Sequence, residues 1–192
     1  MPNRDPRGLK FSFDALRTVQ ACALLLRDAG GQKNYTWLLK VLYLADRRSL
    51  LETGRPITGS TFVSMASGPV LSEVYACIKS RPARPAWDEH IVREGRFDVR
   101  LIKDPGDDEL SDYDVRLLKE LTVKHQCDDY SRMISIVRLL GEWHDPAPEK
   151  VMPLPAAEIL RVEGETEATI DYLIAQNESF AAQIKYILGT RS

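Results

Sequence analysis

The side chains that could do chemistry in this sequence are few and far apart. His90, His125 and His144 do not form the short-spaced pattern of a metal site, so we interpret all three as surface residues. His125 and Cys127 have the types of a base and its nucleophile, but side chains two positions apart on a helix point to different faces. We therefore expect a protein that is not an enzyme.

An acidic cluster lies between Asp107 and Asp114 and offers the oxygen ligands that hard cations prefer. Its spacing is not that of a calcium loop, so we interpret it as a solvated turn followed by the acidic start of a helix. The sequence also lacks a glycine-rich phosphate loop in the strand-to-helix context that a nucleotide would require. No cofactor or metal is expected.

Arginines near the middle of the chain indicate a binding surface. Arg47, Arg48 and Arg55 lie close in sequence, and Lys79, Arg81 and Arg84 form a second basic group. Arginine is favoured at protein interfaces because its planar fork pairs with carboxylates and stacks on aromatic rings. We predict partner contact for the first group, with an ordinary solvated face as the alternative.

Composition narrows the class of partner and the compartment. A chain of 192 residues that is 44% hydrophobic can form one core, and its net charge of -2 gives no global attraction to nucleic acid. Three scattered cysteines fit a reducing compartment. No signal peptide precedes the first helix, and no apolar stretch approaches the roughly 20 residues of a membrane span. We expect a cytoplasmic protein without nucleic-acid or membrane contacts.

Hydrophobic periodicity predicts five helices before a proline-rich break, and these must position the arginines. The helices are expected over 13–28 with Ser12 as the cap, over 35–53, from Gly68-Pro69 to about 80, from the Ser111–Asp114 capping box onward, and over 130–143. A strand is predicted at 61–65 and a hairpin around Glu94-Gly95. The predicted fold is mostly α (α+β), a compact helical domain with a small antiparallel sheet or hairpin and a C-terminal amphipathic helix.

Four prolines between 145 and 155 mark the predicted domain boundary. We divide the chain into a domain at 11–144, a connector at 145–156 and a helical appendage at 157–192. In the appendage an apolar stripe recurs at helical spacing in Ile170, Leu173, Ile174, Phe180 and Ile184. Such a stripe must be buried on its own domain, on a second copy of the chain or on a partner.

An ordered series of motifs carries a family resemblance. Its parts are Lys-Val-Leu-Tyr-Leu-Ala-Asp-Arg at 40–47, Gly-Arg-Pro-Ile-Thr-Gly at 54–59 and Ser-Gly-Pro-Val-Leu-Ser-Glu-Val-Tyr at 67–75, with Leu-Ser-Asp-Tyr-Asp at 110–114 and Glu-Trp at 142–143. The series resembles the Panacea domain of the SocA-like bacterial antitoxins, which are also described as phage-associated. The resemblance covers about 13–143 and is specific as a block.

The resemblance implies a compact helical domain with a few short strands and no catalysis. It implies a gene beside that of a toxin, and neutralisation of the toxin by direct protein binding. Some members of the family look instead like adaptors that deliver the toxin to a cytosolic protease. A DNA-binding autoregulator is a third possibility, which the near-zero net charge disfavours.

The motif residues divide into two sets. The fold-marking set is expected to shape the scaffold, with Tyr43, Asp46 and Arg47 forming a hydrogen-bonded brace to the Gly68–Pro69 turn and partner contact as the alternative. Its members are Tyr43, Asp46, Arg47, Gly54, Pro56, Gly59, Gly68, Pro69 and Tyr75. The set predicted to contact a toxin, or a second copy through the last helix, comprises Arg47, Arg48, Arg55, Ile170, Leu173, Ile174, Phe180 and Ile184.

Overall fold

The computed structural model describes residues 9–79, 85–147 and 150–189, except for the side chains of 85, 181 and 184–189. Helices dominate these residues, and six short strands accompany them. In chain order the elements are α1 (Ala15–Asp28), β1 (Gln32–Asn34), α2 (Tyr35–Thr53), β2 (Phe62–Met65), β3 (Gly68–Leu71), α3 (Ser72–Lys79), α4 (Pro85–Asp88), β4 (Ile91–Glu94), β5 (Asp98–Leu101), α5 (Asp112–His125), α6 (Tyr130–Arg138), β6 (Met152–Pro153), α7 (Ala156–Val162) and α8 (Glu167–Gly189). The predicted α+β class is confirmed.

Helix α2 runs through the centre of the molecule. It begins where the Asn34 side chain accepts a hydrogen bond from the Thr36 amide (2.9 Å), and it ends at Gly54, whose φ of 75° is left-handed. Helices α1, α5 and α6 pack around it, so its side chains are buried on more than one face. The predicted bounds of this helix are confirmed.

The strands form two small antiparallel sheets, with the orders β1-β5-β4 and β3-β2-β6. The predicted strand at 61–65 and the predicted hairpin are confirmed as β2 and β4–β5. The helix predicted to enter at Gly68-Pro69 is wrong at its start, because Gly68–Leu71 pairs with β2 and the helix begins at Ser72. Gly68 has a φ of 94°, which a right-handed helix does not allow, and Pro69 lies in an edge strand, where proline is tolerated.

Three other helix ends can be compared with those predicted from the sequence. Asp14, not Ser12, caps α1 by accepting from the Arg17 amide (3.0 Å). Ser111 and Asp114 form the predicted capping box at the start of α5. Helix α6 ends at Arg138, five residues before the predicted end.

The residues after 144 belong to the same core. Strand β6 pairs with β2, and Leu154 and Ile159 are buried in the cluster that α1 and α2 form. On α8, Ile170 is fully buried and Ile174 is 7% exposed. The core therefore continues across the predicted boundaries at 144 and 156.

None of the described helices has the length and apolar character needed to cross a lipid bilayer.

Candidate partner-binding surface

The buried carboxylate of Glu142 connects the first sequence motif (40–47) with the last one (142–143). It is fully buried and accepts hydrogen bonds from the Tyr43 hydroxyl (2.8 Å) and from the Arg47 Nε (2.7 Å) and Nη2 (3.2 Å). Arg47 also pairs with Glu163. Burial, and next the Glu142 charge, raise the pKa of Tyr43 well above its ordinary value, so it remains a hydroxyl donor. We call these four residues the Glu142 brace.

Tyr43 and Arg47 do form a hydrogen-bonded brace, but the prediction is wrong about its other end, which is Glu142 and not the Gly68–Pro69 turn, and about Asp46, which bonds Thr58. Tyr43 and Arg47 reach Glu142, in the segment that follows α6, because α6 packs on α2. Glu142 was visible in the sequence only as part of the resemblance. A lone Glu beside Trp143 gives no local signal that it will be buried.

Asp46 is fully buried and holds the loop between α2 and β2. One of its oxygens accepts from the Thr58 amide (3.1 Å), and the other contacts the Thr58 hydroxyl. Burial raises the pKa of Asp46 to about 7, although the Thr58 hydrogen bonds oppose the shift. In the same loop Gly59 has a φ of 66°, and a Cβ there would lie 2.1 Å from the Ser12 carbonyl oxygen. The motif residues of this loop therefore determine its conformation.

Lys40 holds the Gly68–Pro69 turn in place of the three predicted residues. It is 1% exposed, and its Nζ donates to the Pro69 carbonyl (2.9 Å). Desolvation lowers the pKa of Lys40 to about 7. Lys40 is the first residue of the 40–47 motif, but its burial is not expected from its residue type, because lysines are almost never fully buried. Its position within the buried run 37–43 is the signal that could have indicated burial.

The predicted partner-contact arginines lie in three environments. Arg47 is 11% exposed inside the Glu142 brace. Arg48 is 40% exposed and pairs with Glu52 (2.7 Å) and Glu120 (2.6 Å). Arg55 places its guanidinium over the ring of Phe180, 4.4 Å from the centroid. Of the second basic group, Lys79 bonds the Tyr35 hydroxyl (2.7 Å), while Arg81 and Arg84 lie outside the described residues.

The structure divides the predicted stripe of α8 in two. Ile170 and Ile174 are buried in the protein's own core, and Leu173 packs against Gly54, where a Cβ would lie 2.7 Å from the Leu173 side chain. Phe180, farther along, is 44% exposed, and the side chain of Ile184 lies outside the described residues. The first half of α8 thus packs into the core, and Phe180, farther along, is an exposed apolar side chain.

At least two concave surfaces lie on the described part of the protein. The first, which we call the α8 groove, has a volume of about 500 Å³ and is lined by Arg55, Tyr172, Gln176 and Phe180 among others. The second, which we call the aromatic cleft, has a volume of about 330 Å³. Its lining includes Tyr35, Lys40, Tyr75, Phe97, Tyr130 and Ile134. The α8 groove joins two of the predicted contact residues, Arg55 and Phe180.

The histidines and cysteines contribute no assembled site in the described residues. His125 is 4% exposed and bonds Asp128 through Nδ1 (2.8 Å), so its predicted surface position is wrong. Its helix packs against α2, and its carbonyl accepts from the Trp37 indole (2.8 Å). Among residues 9–79, 85–147 and 150–189 there is no group of three or more His, Cys, Asp or Glu residues that could hold a metal ion.

Comparison with known protein families identifies a domain in the chain. Residues 38–144, more than half of the chain, match the family described as antitoxin SocA-like, Panacea domain. The match confirms the resemblance inferred from the motifs. It contains Lys40, Asp46 and all of the Glu142 brace except Glu163. No curated protein and no solved structure matches the chain significantly.

Proposed function

Because the chain belongs to the SocA-like, Panacea-domain antitoxin family, we propose that it neutralises a toxin encoded by the adjacent gene by binding that protein directly. The family match over 38–144 is the observation that carries this proposal. The proposed activity is binding in the cytoplasm, without a catalytic step.

The internal contacts of the motif support a division of labour. Tyr43, Asp46 and Arg47 each bond to another part of the same chain, and all three have little exposed surface. Such buried, satisfied groups stabilise a fold, and they are not free to pair with a partner. Toxin contact then falls to exposed residues outside these contacts.

The α8 groove is the surface we propose for the toxin. Phe180 and Tyr172 are 44% and 64% exposed, and the Arg55 guanidinium stacks on the Phe180 ring. Exposed aromatic and arginine side chains around a concavity are typical of the residues that dominate binding energy at interfaces. The toxin would cover Phe180 and add a carboxylate partner for Arg55. A second copy of this chain is the alternative occupant.

The described residues give no specific support to the protease-adaptor reading. An adaptor would need a free tether, for which the proline-rich segment after Trp143 is the candidate, yet Met152 and Pro153 pair with β2 and Leu154 is buried. The net charge of -2 likewise gives no support to DNA binding. Direct sequestration is therefore the mechanism we propose.

The experiment is a growth assay with the adjacent gene. Cells express the neighbour alone, with the full chain, or with full-length F180D or R55E. The control is V123D, because Val123 is also an exposed apolar side chain (68%) but lies on α5, outside the groove. A deletion of α8 is unsuitable, since it would remove Ile170 and Ile174 from the core.

We expect the neighbour alone to stop growth, the full chain and V123D to restore it, and F180D and R55E to restore it poorly. A harmless neighbour would overturn the antitoxin proposal. Full rescue by both groove variants would refute the proposed contact at the α8 groove but not the antitoxin proposal. Size-exclusion chromatography of the free protein tests the second-copy alternative, which predicts a dimer that F180D dissociates.

A further inference from the structure

The α8 groove follows one face of α8 for about three helical turns. Six of its described lining residues recur at the helical positions i, i+3, i+4, i+7, i+8 and i+11, and these are Tyr172, Ala175, Gln176, Ser179, Phe180 and Gln183. The core residues Ile170 and Ile174 lie on a different face of the same helix. Since an α-helix rises about 1.5 Å per residue, this lining face is about 16 Å long. It matches the length of a short helix lying along α8.

The lining residues have the spacing of two consecutive holes for helix packing. When two helices pack, a side chain of one helix fits into a hole between four residues of the other, at positions i, i+3, i+4 and i+7. The first hole is formed by Tyr172, Ala175, Gln176 and Ser179, and the second by Gln176, Ser179, Phe180 and Gln183.

The sizes of the side chains suit a close approach by a second helix. Ala175 and Ser179 are short and exposed, so the backbone of a second helix can come near α8 between the rings of Tyr172 and Phe180. These rings are 64% and 44% exposed and offer apolar surface to the side chains that enter the holes. A pair of large apolar residues would fill this space.

Arg55 gives the groove a positive charge that its other described lining residues do not balance. Arg55 is exposed, and none of the other residues that line the groove is an Asp or Glu. Glu52, the nearest carboxylate in sequence, pairs with Arg48 (2.7 Å). Asp171 and Glu178 are on α8 but do not line the groove. A partner with an acidic side chain would therefore complement this surface.

The position of Arg55 is fixed before any partner arrives. Its backbone carbonyl accepts a hydrogen bond from the Ser49 hydroxyl (2.7 Å), and the Leu173 side chain packs against the neighbouring Gly54. Its guanidinium lies over the ring of Phe180, 4.4 Å from the centroid. A guanidinium stacked on a ring keeps the N–H groups at its edge for a carboxylate. The groove thus presents a positioned cation beside the second hole.

We propose that the toxin occupies the α8 groove with an amphipathic helix. Two of its apolar side chains, three or four residues apart, fill the two holes, and an Asp or Glu beside them pairs with Arg55. The spacing of the holes favours a helix over an extended segment, whose side chains repeat every two residues. The unbalanced charge of Arg55 favours the acidic residue. This inference rests on the proposed function, because it names the part of the toxin that the groove holds.

Biolayer interferometry between the full chain and the purified product of the adjacent gene tests the groove. S179W fills the space between the two holes and should weaken binding at least about tenfold. S135W is the matched control, since Ser135 is also an exposed helical serine but lies on α6, outside the groove. R55E should weaken binding at least about tenfold, whereas R138E, whose guanidinium also stacks on a ring (Trp143, 4.6 Å), should have little effect.

Hydrogen exchange of the complex tests the chemistry of the occupant. The protected segment of the toxin should be helical, with apolar residues three or four positions apart and an Asp or Glu next to them. Changing that acid to Arg should weaken binding to the wild type and restore binding to R55E to within about threefold of the original pair. A general loss of stability cannot produce this recovery.

The outcomes separate this inference from the proposed function. If the product of the adjacent gene forms no complex with the chain, both are overturned. A complex that S179W and R55E leave unchanged overturns the inference and leaves toxin binding intact. A protected segment that is not helical or has no such acid, or a charge reversal without recovery, does the same. A free chain that is a dimer and that S179W dissociates would assign the groove to a second copy, which also overturns the inference.

Discussion

Removing the Glu142 carboxylate should cost a large part of the stability of this protein. In E142A the Tyr43 hydroxyl loses its acceptor in a buried position, and Arg47 keeps only its contact with Glu163, which is 44% exposed. Breaking a buried ion pair costs about 3–5 kcal/mol, and a buried unsatisfied hydroxyl costs about 1–3 kcal/mol. Since Glu163 retains part of the Arg47 interaction, we expect about 3–5 kcal/mol in total. The total free energy of unfolding of a protein domain is only about 5–15 kcal/mol.

Urea denaturation followed by circular dichroism measures this loss, with the slope against urea expected to stay unchanged. The matched control is E120A, because Glu120 also pairs with an arginine but is 56% exposed, and its loss should cost less than about 1 kcal/mol. Y43F combined with E142A should be less destabilising than the sum of the two single changes, since both remove one hydrogen bond. A loss below about 1 kcal/mol for E142A, or strict additivity with Y43F, would refute this account of the brace.

Three further predictions concern the scaffold. Because the pKa of Asp46 is raised to about 7 in the folded protein, this carboxyl ionises at lower pH in the unfolded chain, and the stability of the wild type falls as the pH rises from about 4 to 7. The stability of D46N relative to that of the wild type should therefore increase by at least about 2 kcal/mol across that range. If urea denaturation at several pH values gives a stability difference between D46N and the wild type that does not change with pH, this prediction is contradicted. G59A should lower the melting temperature by at least about 5 °C, because Gly59 has a positive φ and a Cβ would collide with the Ser12 carbonyl. Calorimetry measures this change, and an unchanged melting temperature would show that the loop can move aside. S111A should cost about 1 kcal/mol in urea denaturation through loss of the α5 cap, and no measurable loss would mean that the cap is replaced by water.

The elements that the sequence predicted well are those with local signals. Helix α2 has an apolar run within its own residues, a capping side chain directly before it and a glycine directly after it. Strands β1, β3 and β6 have two to four residues each, and their stability comes from partners elsewhere in the chain. Gln32, for example, pairs with Arg100. The Gly68-Pro69 pair resembles a helix start until the positive φ of Gly68 is known.

The site was less predictable than the fold because buried charge has no local signature. Tyr43 and Glu142 are 99 residues apart in sequence, and only the packing of α6 on α2 brings them together. Lys40 was equally hidden, since its acceptor is a backbone carbonyl that any residue could provide. The exposed residues Arg55 and Phe180 were predicted separately, and their direct contact required the three-dimensional path of α8.

The late position of the residues that complete the core has a consequence for synthesis on the ribosome. The family region ends at 144, but Leu154 and Ile170 fill its core from farther along the chain. At roughly 5–20 residues per second, translation reaches these positions seconds after the family region has been made. A nascent chain therefore exposes apolar surface through that interval, and its core is complete only when the start of α8 has emerged. A chain that terminates before Ile170 would lack side chains that fill this core, so its folding depends on synthesis through α8.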